Sequence, residues 1–295
     1  MSGRVDEGVV RGVLESSHRE TCIRGEDGKE YFAGEKFWQG YLLHWTGARV
    51  FARRLPQVDY DTGKRIIIVW PCGDEPRPPY MELYYNERLV KYPASIFGHN
   101  AINISGTVYN FSHLINENEA ISEEEYLYRP ALGEFAPSPH TGRFSVSDRA
   151  RPYYDKFGRN FMRTIHVLHV EGVDTGRLTE IFSAEIDRIH RTPPPAGRPD
   201  KYRDFHFLRR SCTTIIRDGL RRYGFSAIRG VFPRDMFVSA AYEILGSRDH
   251  SIRARAYCME QLKVEESPYS AATPLLNPLN ACRVRKIYGA RALKG

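Results

Sequence analysis

The predicted fold is decided by GHNAINI at residues 98–104 and by SCTTIIRD at residues 211–218, two segments far apart in the chain. The first segment predicts a strand that begins at His99. The second predicts a helix that begins at Cys212, because apolar residues recur along 212–223 at i, i+3, i+4 and i+7. Backbone N–H groups and the macrodipole at a helix N-terminus stabilise a thiolate. If the two ends meet, the histidine and the thiol form a nucleophile–base pair.

A third polar group is needed to orient the histidine, and a predicted hairpin supplies one. With Ser105-Gly106 as its turn, the hairpin pairs Asn110 with Ala101. Ala101 lies on the same strand face as His99, because side chains alternate with a period of two. The amide of Asn110 is therefore the first candidate to hold the imidazole. Two further candidates remain open: Asn103, on the same face, and His113, just beyond the strand.

These and other polar residues also have structural interpretations. A cysteine on an apolar helix stripe is often a packing residue, and spacing alone does not establish its contact with His99. His166 and His169 lie three positions apart on a predicted strand, so they point to opposite faces and make poor metal co-ligands. The acidic run at residues 123–125 predicts a solvated helix face. Four aromatic residues are expected in a core rather than stacked on nucleic-acid bases: Trp38, Tyr41, Trp45 and Phe51.

The N-terminal part of the chain has the pattern of a small all-β domain. Short strand-like stretches occur at residues 8–14, 38–44, 49–52 and 65–70, with turn signals between them. Residues 1–72 are therefore predicted to form an SH3-like or OB-like β-barrel. Four prolines in residues 71–79 predict a linker after it.

The pattern changes to mixed strands and helices in residues 80–245, which predicts an α+β domain. A helix is predicted over residues 176–190, capped by Asp174 or Thr175. Residues 116–160 have no clear period and are expected to be a long irregular excursion, suited to a lid or specificity loop. Residues 246–295 are expected to form a C-terminal extension that packs on this domain.

Composition narrows the class of protein further. Lys and Arg number 43 against 36 Asp and Glu, and the net charge of +7 favours an anionic partner or surface. Nucleic acid is not the expected partner, because no long basic block occurs.

No apolar run approaches the ~18 residues of a membrane helix, and residues 1–6 lack the apolar core of a secretory signal. We expect a cytoplasmic protein as synthesised, exported only by a specialised secretion system. Five cysteines without metal-ligand spacing predict reduced thiols.

The two deciding segments resemble the histidine hairpin and the cysteine helix of the circularly permuted papain-like enzymes, relatives of the NlpC/P60 peptidases. The matching stretches are residues 98–104, VYNF at 108–111 and CTTIIRD at 212–218. In that group the histidine strand precedes the cysteine helix, as it does here. The second half is especially similar to an uncharacterised bacterial family with a Cys-Thr-x-x-x-Arg-Asp helix, and the resemblance covers residues 80–245. Ser211 departs from that family, which often has asparagine before the cysteine.

The resemblance implies a permuted papain-like fold, with helices packed on an antiparallel sheet, and a cysteine hydrolase that needs no metal or organic cofactor. Cys212 would be the nucleophile, His99 the general base and then the general acid, and Asn110 the orienting group. The backbone N–H of Cys212 would help to bind the oxyanion. The implied reaction is attack on an amide or ester carbonyl through a covalent acyl-enzyme.

The expected substrate is a peptide amide, and peptidoglycan peptide is favoured because small barrels attached to NlpC/P60-like domains often bind this anionic polymer. A lipid or thioester acyl hydrolase or an acyltransferase is a close variant, since related permuted enzymes act on acyl chains. A non-catalytic binding module is the alternative from another class. A thiol-reactive acyl probe distinguishes the classes, because only an enzyme needs the histidine for labelling. The oligomeric state stays open.

Overall fold

The computed structural model describes residues 8–17, 20–59, 62–73, 78–89, 96–129, 163–198, 201–259, 270–273 and 275–288. In these residues the chain is an α+β protein with two large antiparallel sheets and several helices, which confirms the predicted class in its coarse form. The chain divides into two compact units. Unit 1 contains the described residues up to 73 together with 124–129, and unit 2 contains 78–123 and the described residues from 163 onward. The sequence pattern does not predict that residues 124–129 belong to unit 1.

Unit 1 is built on a five-stranded antiparallel sheet. Its strands are β1 (Val10–Ser16), β2 (Thr21–Gly25), β3 (Glu30–Tyr31), β4 (Arg49–Val58) and β5 (Arg65–Pro71). They are ordered β3-β2-β1-β4-β5, so β3 and β5 form the edges. A single parallel bridge, from Lys36 to Ile66, links the segment after β3 to β5. The described residues contain no closed barrel, because the edge strands β3 and β5 are not paired with each other.

The predicted strand at residues 38–44 is wrong, because helix α1 (Gln39–Trp45) occupies this position. Trp38, Tyr41 and Trp45 follow the i, i+3, i+7 spacing of a helix face. Their ring centroids lie 5.3 Å apart for the first pair and 5.4 Å apart for the second. Trp38 and Tyr41 are buried, which confirms the core interpretation for these two aromatics.

Part of the excursion predicted at residues 116–160 is regular. It contains a 3-10 turn (Ile115–Glu117), strand β10 (Glu119–Ser122) and helix α2 (Glu123–Tyr128). Residues 130–160, part of the stretch predicted to suit a lid, lie outside the described residues. The solvated face predicted for residues 123–125 is wrong. Glu124 and Glu125 are 23% and 15% exposed, because the guanidinium of Arg53 lies 3.2 and 3.0 Å from their carboxylates.

The sheet of unit 2 has six antiparallel strands. In addition to β10 they are β6 (Tyr80–Asn86), β8 (His99–Ile104), β9 (Thr107–Asn110), β11 (Ile165–Glu171) and β12 (Arg253–Met259). A separate two-stranded sheet pairs β7 (Arg88–Leu89) with β13 (Ser270–Ala271). The order is β10-β9-β8-β6-β11-β12. Strand β12 pairs with β11 along its whole length. Residues 246–295 are predicted as an extension packed on this domain, and the described part of that range contributes β12, which forms one edge of the sheet.

Helices cover the apolar face of this sheet. They are α3 (Thr175–Arg191), α4 (Cys212–Tyr223), α5 (Pro233–Leu245) and α6 (Pro278–Tyr288). The Asp174 cap is confirmed, since its Oδ1 accepts the N–H of Arg177 at 3.0 Å, and α4 ends at Tyr223 with Gly224 as its C-cap. The core joins Leu83, Ile102 and Leu168 of the sheet to Phe182, Ile216 and Phe237 of the helices. None of the described helices is both long and apolar enough to span a bilayer.

The other face of the sheet carries a buried polar network centred on Glu82. Its carboxylate accepts hydrogen bonds from Tyr84 at 2.7 Å, from the amide of Asn103 at 3.2 Å and from Nδ1 of His169 at 3.0 Å. The hydrogen bond that His169 donates to Glu82 raises the pKa of His169 even though desolvation acts against it. Buried polar groups are tolerated here because each one has partners. Asn103 is therefore held in this network.

A glycine at the end of β11 lets the chain turn toward α3. Gly172 has a φ of +78°, and a Cβ at this position would lie 1.9 Å from the carbonyl oxygen of Ser251. Gly106, in the hairpin between β8 and β9, also has positive φ, but nothing lies within 4 Å of its Cβ position. The two glycines therefore share a left-handed backbone, which is unstrained only for glycine, but differ in the space around them.

Substitution of Gly172 by alanine is expected to destabilise unit 2 more than the same change at Gly106. Left-handed φ costs an alanine about 1–2 kcal/mol at either position. At Gly172 overpacking against Ser251 adds roughly 1–3 kcal/mol. Urea unfolding of the two variants measures the difference, and equal losses of stability would contradict the close approach of the two backbone segments.

Candidate active site

The start of helix α4 is fixed by a capping box on either side of Cys212. The side chain of Ser211 accepts the N–H of Thr214 at 3.4 Å, and the N–H of Ser211 donates to the hydroxyl of Thr214 at 2.8 Å. This reciprocal pair satisfies two backbone donors that the helix leaves open. Cys212 is consequently the first residue of the helix, where the positive end of the macrodipole lies. Ser211 is thus the N-cap of this helix.

Three further contacts hold this helix end against the rest of unit 2. Arg210 is bonded to the buried carboxylate of Glu185 on α3, and its Nε donates to the hydroxyl of Tyr202 at 2.6 Å. On the other side, the hydroxyl of Thr213 donates to the side-chain oxygen of Asn100 on β8 at 3.0 Å. Cys212 is therefore fixed between a helix and the strand that carries His99.

His99 begins strand β8 after a glycine that the local geometry requires. Gly98 has a φ of +71°, and a Cβ there would lie 2.6 Å from the carbonyl oxygen of Asn86. Only glycine fits this close approach without strain. The half-buried ring of His99 reaches the thiol of Cys212, and the two side chains form a hydrogen bond.

The predicted hairpin register is confirmed, because Asn110 is paired with Ala101. Oδ1 of the buried Asn110 amide lies 2.6 Å from Nε2 of His99, and its Nδ2 donates to the carbonyl of Glu117 at 2.7 Å. Since a carbonyl can only accept, this contact fixes the amide orientation and directs Oδ1 toward the histidine. The proton of a neutral His99 is then on Nε2, and Nδ1 is the nitrogen left for the thiol.

Electrostatics at the pair favour charge separation. Burial raises the pKa of the Cys212 thiol. This effect is outweighed by the charge and hydrogen bond of His99, by the backbone N–H of Asn100 and by the Thr213 hydroxyl, so the pKa is lowered to about 7. Burial lowers the pKa of His99, yet Cys212 and Asn110 raise it above its usual value. A thiolate and an imidazolium therefore stabilise each other near neutral pH.

The structure brings together the three residues predicted from sequence: Cys212, His99 and Asn110. The two other candidates for the orienting group lie elsewhere: Asn103 belongs to the Glu82 network, and Nδ1 of His113 lies 3.3 Å from the Ser112 hydroxyl. Sequence reasoning missed Asn100 and Thr213. Each directly follows a predicted site residue, and the strand alternation that put His99 and Asn103 on one face also put Asn100 on the other.

A second thiol–imidazole contact lies in unit 2, between β12 and β11. Sγ of the exposed Cys258 is 3.2 Å from Nδ1 of His166, and Nε2 of this histidine is 2.8 Å from the carboxylate of Glu87. His166 contacts Tyr85 on the helix-covered face while His169 contacts Glu82 on the other, as their spacing predicts. No group of three His, Cys, Asp or Glu residues suited to a metal ion occurs in the part of the chain that the structure describes.

Compared with known proteins, the chain matches no family model, and neither curated proteins nor solved structures give a significant match. The chemistry of the site is therefore argued from its geometry.

The pH dependence of Cys212 alkylation tests its coupling to His99. With iodoacetamide, we expect the rate at Cys212 to rise with a midpoint near pH 7, where the thiol ionises. In His99→Ala the midpoint should move above the ordinary cysteine value of about 8.5, because burial then acts without the imidazole. Peptide mass spectrometry separates Cys212 from Cys258. A wild-type midpoint that His99→Ala leaves unchanged would contradict the pair.

Asn110 and Asn103 make a matched test of the orienting group. Asn110→Ala releases the imidazole, so we expect about a 10²-fold slower reaction of Cys212 with an acyl ester. Asn103→Ala removes a buried amide from the Glu82 network and is expected to lower stability by about 1–3 kcal/mol with the reaction rate nearly unchanged. Acylation rates and urea unfolding of both variants measure this. The reverse pattern would show that Asn103 serves the site.

Proposed function

We propose that the protein is a cysteine hydrolase that cleaves an amide or ester through a covalent acyl-enzyme. The observation that carries the proposal is the continuous hydrogen-bonded chain from the Cys212 thiol through His99 to the Asn110 amide. A thiol nucleophile needs a low pKa, a base in contact and a group that orients the base. All three requirements correspond to side chains of unit 2.

The chemistry follows from these contacts in two steps. The Cys212 thiolate attacks the carbonyl carbon, and the backbone N–H of Cys212, which has no partner inside its helix, binds the developing oxyanion. The carbon–nitrogen or carbon–oxygen bond breaks, and His99 gives its proton to the leaving group. His99 then takes a proton from water, whose oxygen attacks the thioester. The carbon–sulfur bond breaks, the acid product leaves, and the Cys212 thiolate again faces the protonated His99.

The order of the elements supports membership of the permuted papain-like group. The histidine strand β8 and its hairpin partner β9 precede the cysteine helix α4, and all three lie in one antiparallel α+β unit. A peptide amide, including peptidoglycan peptide, remains the first substrate of the proposal, with an acyl hydrolase or acyltransferase as the variant. Export by a specialised secretion system would give such a protein access to the cell wall.

Acylation with p-nitrophenyl acetate tests the proposal. We expect a burst of p-nitrophenol and a hydroxylamine-sensitive acetyl group on Cys212, found by peptide mass spectrometry. His99→Ala should slow this acylation about 10²–10⁴-fold, as loss of a general base does. Cys258→Ser is the matched control, because it removes the other histidine-bonded thiol and should leave the burst in place.

Two outcomes would overturn the proposal. One is a folded wild-type protein without an acyl group on Cys212. The other is acylation that is equally fast in His99→Ala, since the imidazole would then have no part in it. The first outcome favours a non-catalytic binding module that keeps the fold without turnover.

A further inference from the structure

Three phenylalanines form an aromatic cluster in unit 2: Phe97, Phe207 and Phe232. Their ring centroids lie 4.7 Å apart for Phe97 and Phe207, 5.6 Å for Phe97 and Phe232, and 5.8 Å for Phe207 and Phe232. These distances are those of interacting aromatic pairs. The three side chains thus pack on one another, and together they are called here the phenylalanine cluster.

The cluster lies next to the proposed catalytic pair because the same two chain segments carry residues of both. Phe97 is separated from His99 by Gly98 alone. Phe207 lies in a turn that backbone hydrogen bonds between His206 and Arg210 close, at 3.4 and 2.7 Å, immediately before the cap of α4. The Phe97–Phe207 contact and the His99–Cys212 contact therefore join the same two segments.

Core packing does not account for this cluster. None of the three rings belongs to the hydrophobic core that the described residues of unit 2 form between sheet and helices. Phe207 is 39% exposed, and its neighbour Leu208 and the residue before Phe97, Ile96, are each 48% exposed. Phe97 and Phe232 are partly buried. Large apolar side chains left exposed next to such rings are typical of a binding site. Its position beside the nucleophile indicates which ligand it meets.

We propose that the phenylalanine cluster is the acyl subsite of this enzyme and selects substrates with a large apolar acyl group. This inference rests on the proposed function. The acyl group is bonded to Cys212 in the acyl-enzyme, which acylation forms and deacylation consumes, so contacts with the cluster act in both steps. A fatty acyl chain and the acyl part of a large apolar amino acid share this chemistry, and the test distinguishes them.

The test varies the acyl group while the leaving group stays p-nitrophenol. One series is acetate, butyrate and octanoate below its micelle concentration; the other is N-acetylglycine and N-acetylphenylalanine. We expect kcat/KM to rise about fourfold per methylene if the chain is buried on the cluster. A rise only in the first series assigns a fatty acyl chain, and a rise only in the second assigns an apolar residue.

Phe207→Ala should lower kcat/KM about tenfold for the preferred long or aromatic ester and leave acetate within about twofold. Phe207→Leu should keep part of the preference, because it keeps apolar area. Leu279→Ala, at an exposed residue of α6, is the control and should change neither ester.

Each failure is distinguishable. Acetylation of Cys212 without any acyl preference, or an equal loss on all esters in Phe207→Ala, overturns the subsite and leaves the proposed function standing. No acylation of Cys212 by any ester overturns both.

Discussion

The site depends on the hydrogen bond between the thiol of Cys212 and the imidazole of His99. Burial alone would keep the sulfur protonated and the ring neutral, since a low-dielectric environment penalises both charges. Each group offsets this penalty for the other, which is why the pKa of Cys212 falls to about 7 while that of His99 rises. Neither residue would be reactive in the same surroundings without its partner.

Much of unit 2 serves to keep this pair in contact. The capping box fixes where α4 starts, Thr213 ties that start to Asn100, and the Arg210–Glu185 pair anchors the chain before it. On the strand side, the side-chain oxygen of Asn110 fixes the ring of His99 by a hydrogen bond. The amide of Asn110 is itself oriented by its hydrogen bond to the Glu117 carbonyl. Rigid support of this kind reduces the cost of arranging the reacting groups.

Local rules predicted the elements that carry the site. Helical spacing placed the start of α4 at Cys212, and the Ser105-Gly106 turn with strand alternation placed Asn110 opposite Ala101.

Local rules fail where two periods fit one segment or where distant segments meet. The strand predicted at the α1 segment is wrong, because seven residues rich in aromatics fit both the helix and the strand period. The burial of Glu124 and Glu125 depends on Arg53, which is distant in the chain. The contact between Arg210 and Glu185 has no local signal for the same reason. Pairing between distant segments is what a single sequence does not specify.

A crystal structure of the whole chain tests the central claim most directly. The account predicts that Sγ of Cys212 and Nδ1 of His99 lie within about 3–4 Å, the range expected of an unliganded nucleophile–base pair. It also predicts that Nε2 of His99 stays on the amide of Asn110. A structure in which the sulfur and the imidazole lie on separate sides of unit 2 would contradict the account.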